Sequence, residues 1–192
     1  MDIDEAEKFI LNLLATQLSP ALHYHGLHHT LDVMQEAMLL AQEEGVSDQE
    51  SLRLLKTAAL FHDSGFLYTY PDHEEEGCRI ARAELPAFSY TKAQIDIICG
   101  MIRATKIPQK PRTHLEQILC DADLDYLGRA DFEPVAASLF NELKGRGIVS
   151  DEKTWNMIQI KFLESHVYHT VSAKTKRQIT KQRRLEEIRD LI

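Results

Sequence analysis

Apolar residues recur at three- and four-residue spacing along nearly the whole chain and nowhere alternate over the length of a strand. A sequence of that kind buries its apolar surface as packed helices. Ala6, Phe9, Ile10, Leu13 and Leu14 predict a helix over 2–18 behind an acidic first turn, broken by Ser19-Pro20. A second begins near Leu27, carries Leu31, Met34, Met38 and Ala41 on one face and ends at Gly45. Ser47-Asp48-Gln49-Glu50 reads as a capping box for a third, which runs to about His62. Residues 65–71 form a loop rich in aromatics, and a helix over 73–85 stops at Pro86. Thr91-Lys92-Ala93-Gln94 caps the next, with Ile95, Ile98 and Ile102 inward, and further helices are predicted over 115–127, 131–144, 151–171 and 174–191. No repeat or linker stands out, so the chain reads as all-α: a single-domain helical bundle over 1–192.

The bulk properties narrow the function. A net charge of −8 argues against a nucleic-acid surface, which needs a basic field. A small phosphorylated substrate stays compatible with it, because a bound cation outweighs the global field locally. Cys78, Cys99 and Cys120 are far apart and form no C-x-x-C pair, which points to buried free thiols. No apolar run approaches the ~20 residues a membrane span needs, and the acidic start lacks a signal-peptide pattern. The expectation is a cytoplasmic protein without a membrane partner. The cluster Lys174, Lys176, Arg177, Lys181, Arg183 and Arg184 reads as a solvated helix face, and the long last helix is compatible with a homodimer.

The chemistry starts at residues 54–63, an apolar segment that ends in two adjacent metal-type ligands, His62 and Asp63. An imidazole and a carboxylate at the edge of a core cost free energy unless something pairs with them. Adjacent helical residues point about 100° apart, so both reach one ion only where the helix ends, and Ser64-Gly65 supplies that ending. Upstream, His29 lies three residues into the second helix. Downstream, Asp123 lies on the otherwise apolar face of Ile118, Leu119, Ala122 and Tyr126, with Asp121 as a competitor for the same role. The remaining histidines His23, His28, His114, His166 and His169 read as structural.

The order His29, His62-Asp63, Asp123 on an all-helical chain resembles the HD superfamily of metal-dependent phosphohydrolases, over a core of about 23–128 with a helical extension over 129–192. The resemblance implies that His29, His62, Asp63 and Asp123 hold one divalent cation (Mn, Fe, Co, Ni, Zn or Mg). Asp123 is preferred to Asp121 because family members show a hydrophobic residue, Ala and Asp in that order. Tyr24-His25 followed by His29 is similar to the pattern of cyclic-nucleotide phosphodiesterases, which makes His25 a candidate proton donor, a role suited to histidine near neutral pH. His73 resembles the extra ligand of binuclear members. Thr105 stands where those members place a further histidine, so one metal is expected, with His73 and Glu74 as acid/base candidates. Arg103 and Lys106 are candidates for holding a phosphate. The implied activity is hydrolysis of a phosphate ester, nucleotide-like, by metal-activated water. Ser64-Gly65-Phe66-Leu67 lacks the acidic residues that two familiar activities of the superfamily carry after the doublet. The alternative is therefore a nucleotide-binding or regulatory module that keeps the metal without turnover.

Overall fold

Nine α-helices and three short 3-10 turns account for the regular structure of the computed structural model, which describes residues 1–192 and contains no strand. The helices are α1 (Ile3–Gln17), α2 (Leu27–Glu43), α3 (Gln49–Phe61), α4 (His73–Glu84), α5 (Lys92–Ala104), α6 (His114–Asp123), α7 (Phe132–Gly145), α8 (Glu152–Ser165) and α9 (Val171–Arg189). No helix is long and apolar enough to cross a membrane.

Capping chemistry sets most helix starts. Asp2, Thr91, Thr113, Asp151 and Thr170 each accept a hydrogen bond from a backbone N–H in the first turn of the helix that follows. Thr91 and Gln94 form the reciprocal capping box expected from the sequence. At α3 the cap is Asp48, which accepts from the Ser51 N–H at 2.8 Å, so the expected Ser47–Glu50 box is not the one formed.

α3 is the central element. Leu54, Leu55 and the run Thr57–Phe61 are buried, and α3 packs against α1, α2, α4, α5 and α6. Burying each Leu, Ile or Phe contributes about 1.5–3 kcal/mol. The main core draws on α1 to α6, and a second apolar cluster joins the extension to it. That second cluster includes Tyr24, Leu124, Tyr126 and Leu127 next to the metal-type residues, with Phe132, Trp155 and Leu163 from the extension.

Three sequence expectations change. Residues 64–67 form a 3-10 turn rather than open loop. The expected helix over 151–171 stops six residues early: α8 ends at Ser165, His166 is extended, and Thr170 caps α9, which starts three residues before the expected 174. Lys181 is buried (3% exposed) rather than solvated, and its ammonium donates to the His166 carbonyl at 2.5 Å.

The link between α8 and α9 is pinned by Asp121. Its carboxylate is fully buried and accepts from the backbone N–H groups of His169 (2.8 Å) and Thr170 (2.7 Å) and from the Thr170 hydroxyl (2.7 Å). Asp121→Ala leaves these donors without an acceptor and is expected to cost about 3 kcal/mol in a denaturant titration. A loss under about 1 kcal/mol would show that the carboxylate does not hold α9.

Candidate metal centre

Three helix ends meet at one point. α2 delivers His29 from its first turn, the end of α3 delivers His62 and Asp63, and α6 delivers Asp123 as its last residue rather than from mid-helix. The turn after Phe61 makes the doublet work. His62 keeps helical torsions while Asp63 moves to φ −100, ψ 6, so both side chains face the same spot. His29, His62 and Asp123 each place one ligand atom within 4.8 Å of the others, close enough to share a metal ion. Asp63 Oδ2 lies 3.4 Å from His29 Nε2 and 3.3 Å from His62 Nε2. Asp123 Oδ1 lies 3.2 and 3.5 Å from the same two nitrogens. Sequence reasoning therefore brings together four residues that the fold also brings together.

The backbone orients this set. His62 Nδ1 donates to the Ala59 carbonyl at 2.7 Å, which leaves Nε2 as the nitrogen aimed at the carboxylates. His62 Nε2 and Asp63 Oδ2 are buried and have no hydrogen-bond partner. Two such atoms facing each other fit a cation that accepts lone pairs from both. Burial pulls the His62 imidazole down, yet Asp63 and Asp123 outweigh it and hold it well above the usual histidine range. Burial pushes Asp123 up, but His29 and His62 bring it down to about 2. Two imidazoles and two carboxylates suit a divalent first-row metal.

His73 and Glu74 flank the centre. His73 Nε2 lies 3.5 Å from Asp63 Oδ1 and 3.6 Å from Glu74 Oε1, and its ring stacks on Phe66 at 3.9 Å. The approach needs Gly65, because a Cβ there would stand 1.9 Å from the His73 carbonyl oxygen. Burial lowers His73, and Asp63 and Glu74 raise it further, so it lies above the usual histidine range.

His25 has a partner that sequence reasoning missed. Glu142 of α7 lies 2.6 Å from His25 Nδ1, accepts from the Tyr24 and His25 N–H groups, and accepts from the Tyr70 hydroxyl at 3.0 Å. It is buried, 117 residues from His25, and no local pattern announces it. Burial raises Glu142, but the His25 contacts and backbone donors bring it to about 2.

The remaining expectations diverge. Arg103 pairs with Glu75 at 2.6 and 3.0 Å, and Lys106 pairs with Asp72. Neither lines the cavity at the metal-type residues, so the expected phosphate-holding pair is instead engaged by acidic neighbours on α4 and just before it. Asp121 is committed to α9, which separates it from Asp123. The cavity, about 230 Å³, is reached by His25, Asp63, His73, Glu74 and Asp123 at one end and walled by apolar side chains of α7 and α8 at the other.

A family model described as HD domain matches residues 26–125. No curated protein matches the chain. Among solved structures, the chain is similar to a predicted HD superfamily hydrolase from an uncultured Thermotogales bacterium, at 22% identity and TM-score 0.63, covering 98% of this chain and 90% of that one. It is also similar to Bacillus subtilis YpgQ in complex with ADP, at 18% identity and TM-score 0.65, covering 98% and 95%. A Lactobacillus plantarum protein aligns at 18% identity and TM-score 0.69, covering 99% and 98%. At these identities the solved structures speak for the fold alone.

Two measurements follow from the geometry. Protein purified without chelator is expected to carry close to one equivalent of a first-row metal by mass spectrometry, falling below about a tenth in His62→Ala and Asp123→Ala. A metal content in those variants equal to wild type would remove His62 and Asp123 from the ligand set. The second is a pH effect. Glu142 titrates at about 2 in the folded chain against an ordinary 4.5, so its ionisation favours folding. That contribution, on the order of 2–3 kcal/mol, is complete above pH 4.5 and is lost as the pH falls towards 2. In Glu142→Gln the acid limb of stability against pH is expected to be correspondingly shallower. An unchanged acid limb would show that the carboxylate is not held ionised.

Proposed function

The chain belongs to the HD domain family, and from that premise we propose that it is a metal-dependent phosphohydrolase acting on a small phosphate ester. The observation that carries the reading is the pair of buried, partnerless atoms His62 Nε2 and Asp63 Oδ2, set beside His29 and Asp123. His29, His62, Asp63 and Asp123 would hold the cation. When bound, such an ion supplies acidification of a water molecule and screening of charge at phosphorus.

The chain's own residues do the rest. His25 faces the cavity, and Glu142 fixes its ring through Nδ1, leaving Nε2 without a protein partner. With its ring so oriented, His25 is placed to carry a proton to the leaving oxygen. His73, beside both Asp63 Oδ1 and Glu74 Oε1, is placed with Glu74 to accept or relay the proton of the attacking water. Phe66 packs against both His25 (4.2 Å) and His73 (3.9 Å) and helps fix the two rings. The sequence suggests a nucleotide, and the similar Bacillus subtilis YpgQ is in complex with ADP. Nucleotides therefore belong in the first panel beside generic phosphoesters.

The test is turnover by purified protein with Mn, Fe, Co, Ni, Zn or Mg across that panel. At least one ester is expected to be hydrolysed, and Asp63→Ala is expected to lower kcat/KM by at least about a thousandfold, the scale of losing the charge stabilisation that a metal supplies. His25→Ala is expected to cost about 100- to 10,000-fold, the range of general acid catalysis, with the smallest effect on esters whose leaving group needs no proton. Nucleotide binding without any turnover would instead favour a regulatory module.

A further inference from the structure

The cavity beyond the metal-type residues has a composition that narrows the ester. Twelve of its nineteen lining residues are apolar, and none is Lys or Arg. Leu139 and Leu143 of α7 and Trp155, Ile158, Phe162 and Leu163 of α8 form the wall away from the histidines. Gln159 is the polar side chain that α8 contributes there.

Charge sets how many phosphoryl groups fit. The lining carboxylates are Asp63, Asp123 and Glu74. A divalent ion held there would balance Asp63 and Asp123 and leave Glu74 as a further acid. The nearby cations are engaged elsewhere: Arg103 with Glu75, Lys106 with Asp72, and Arg146 over the Tyr70 ring at 3.9 Å. His25 and His73 stand at the metal end, so a second phosphoryl group further in would enter an apolar space with no Lys or Arg to meet it, which is costly. One phosphoryl group at the metal end, with its charge met there, avoids that cost.

Size points the same way. The cavity, about 230 Å³, lies between an apolar void of roughly 150 Å³ that takes benzene and the ~300–1,000 Å³ of ordinary ligand pockets. It suits one ring or a short alkyl chain.

Resting on the phosphohydrolase reading, we infer that the substrate is a phosphate monoester whose leaving group is apolar and about ring-sized, seated between α7 and α8. Hydrolysis breaks the P–O bond to that group. Water supplies the oxygen that joins phosphorus, and the departing alcohol or phenol oxygen takes a proton. The products are inorganic phosphate and an apolar alcohol, with no oxidant or reductant involved. Nucleoside di- and triphosphates are thereby disfavoured.

The test uses a homologous series. Metal-loaded protein is assayed on n-alkyl phosphates from methyl to octyl, with phenyl phosphate, AMP, ADP and ATP alongside. Values of kcat/KM are expected to rise about fourfold per methylene until the cavity is full and then level off. Hexyl and phenyl phosphate are expected to exceed ADP and ATP by at least about a hundredfold, the scale of leaving a buried phosphoryl group unpaired. Ile158 is 39% exposed, so Ile158→Lys keeps the fold; it is expected to flatten the chain-length slope.

A second measurement separates this inference from the reading beneath it. Binding of n-alkylphosphonates, which the protein cannot hydrolyse, is followed by calorimetry on the same metal-loaded protein. Affinity is expected to rise about fourfold per methylene. A flat series in binding overturns the inference, as does faster turnover of ADP or ATP than of hexyl phosphate. A steep binding series with no turnover of any ester supports the apolar site and overturns the phosphohydrolase reading instead.

Discussion

The fold depends on bringing two imidazoles and two carboxylates to one point at the end of its most buried helix. α3 is apolar almost throughout, and such a helix gains most by running through the centre of the bundle. Its end then carries His62 and Asp63 into the core, where neither is tolerated alone. The solution is mutual. α2 begins and α6 ends beside the end of α3, so that His29 and Asp123 face the doublet across distances of 3.2–3.5 Å. His62 Nε2 and Asp63 Oδ2 remain without a hydrogen-bond partner in that arrangement. A divalent ion held by His29, His62, Asp63 and Asp123 would satisfy those lone pairs at once, which would link metal binding to core stability.

This arrangement also explains which parts were legible in the sequence. Periodicity located α1, α2, α5 and α7 closely, because each buries a stripe against the same core. It carried α8 too far, to 171, because residues 166–170 lack a strong breaker and the boundary is made by the Thr170 cap and the distant Asp121 carboxylate. The four metal-type residues were legible by residue type, since a buried His-Asp doublet demands partners. Asp121 and Asp123, two positions apart on one helix, point to different sides. Both are carboxylates needing compensation, and only the fold shows that backbone donors of the α8–α9 link satisfy one while imidazoles satisfy the other.

Arg103 and Lys106 show how tertiary pairing escapes the sequence. Cations at the end of a helix invite a phosphate reading when the acids that neutralise them lie about thirty residues away. Glu75 and Asp72 were visible in the sequence as an acidic helix start, but their pairing with α5 is a tertiary fact. Glu142 was hidden for the same reason. A glutamate on an amphipathic helix ordinarily faces water, and its burial against the Tyr24-His25 backbone follows from how the extension closes over the core.

That closure ties the His25 ring to the cavity wall. Leu139, Glu142 and Leu143 are spaced i, i+3 and i+4 on α7, so they share one face. Glu142 holds the His25 ring, and the two leucines line the cavity that His25 faces. A shift of α7 that opened the cavity to a bulkier or more polar group would also carry Glu142 away from Nδ1 of His25. The same helix therefore sets both the shape of the cavity and the orientation of the His25 ring. In a bundle whose metal-type residues all come from α2, α3 and α6, the extension is where this chain can differ from others with the same centre without disturbing the ligands themselves.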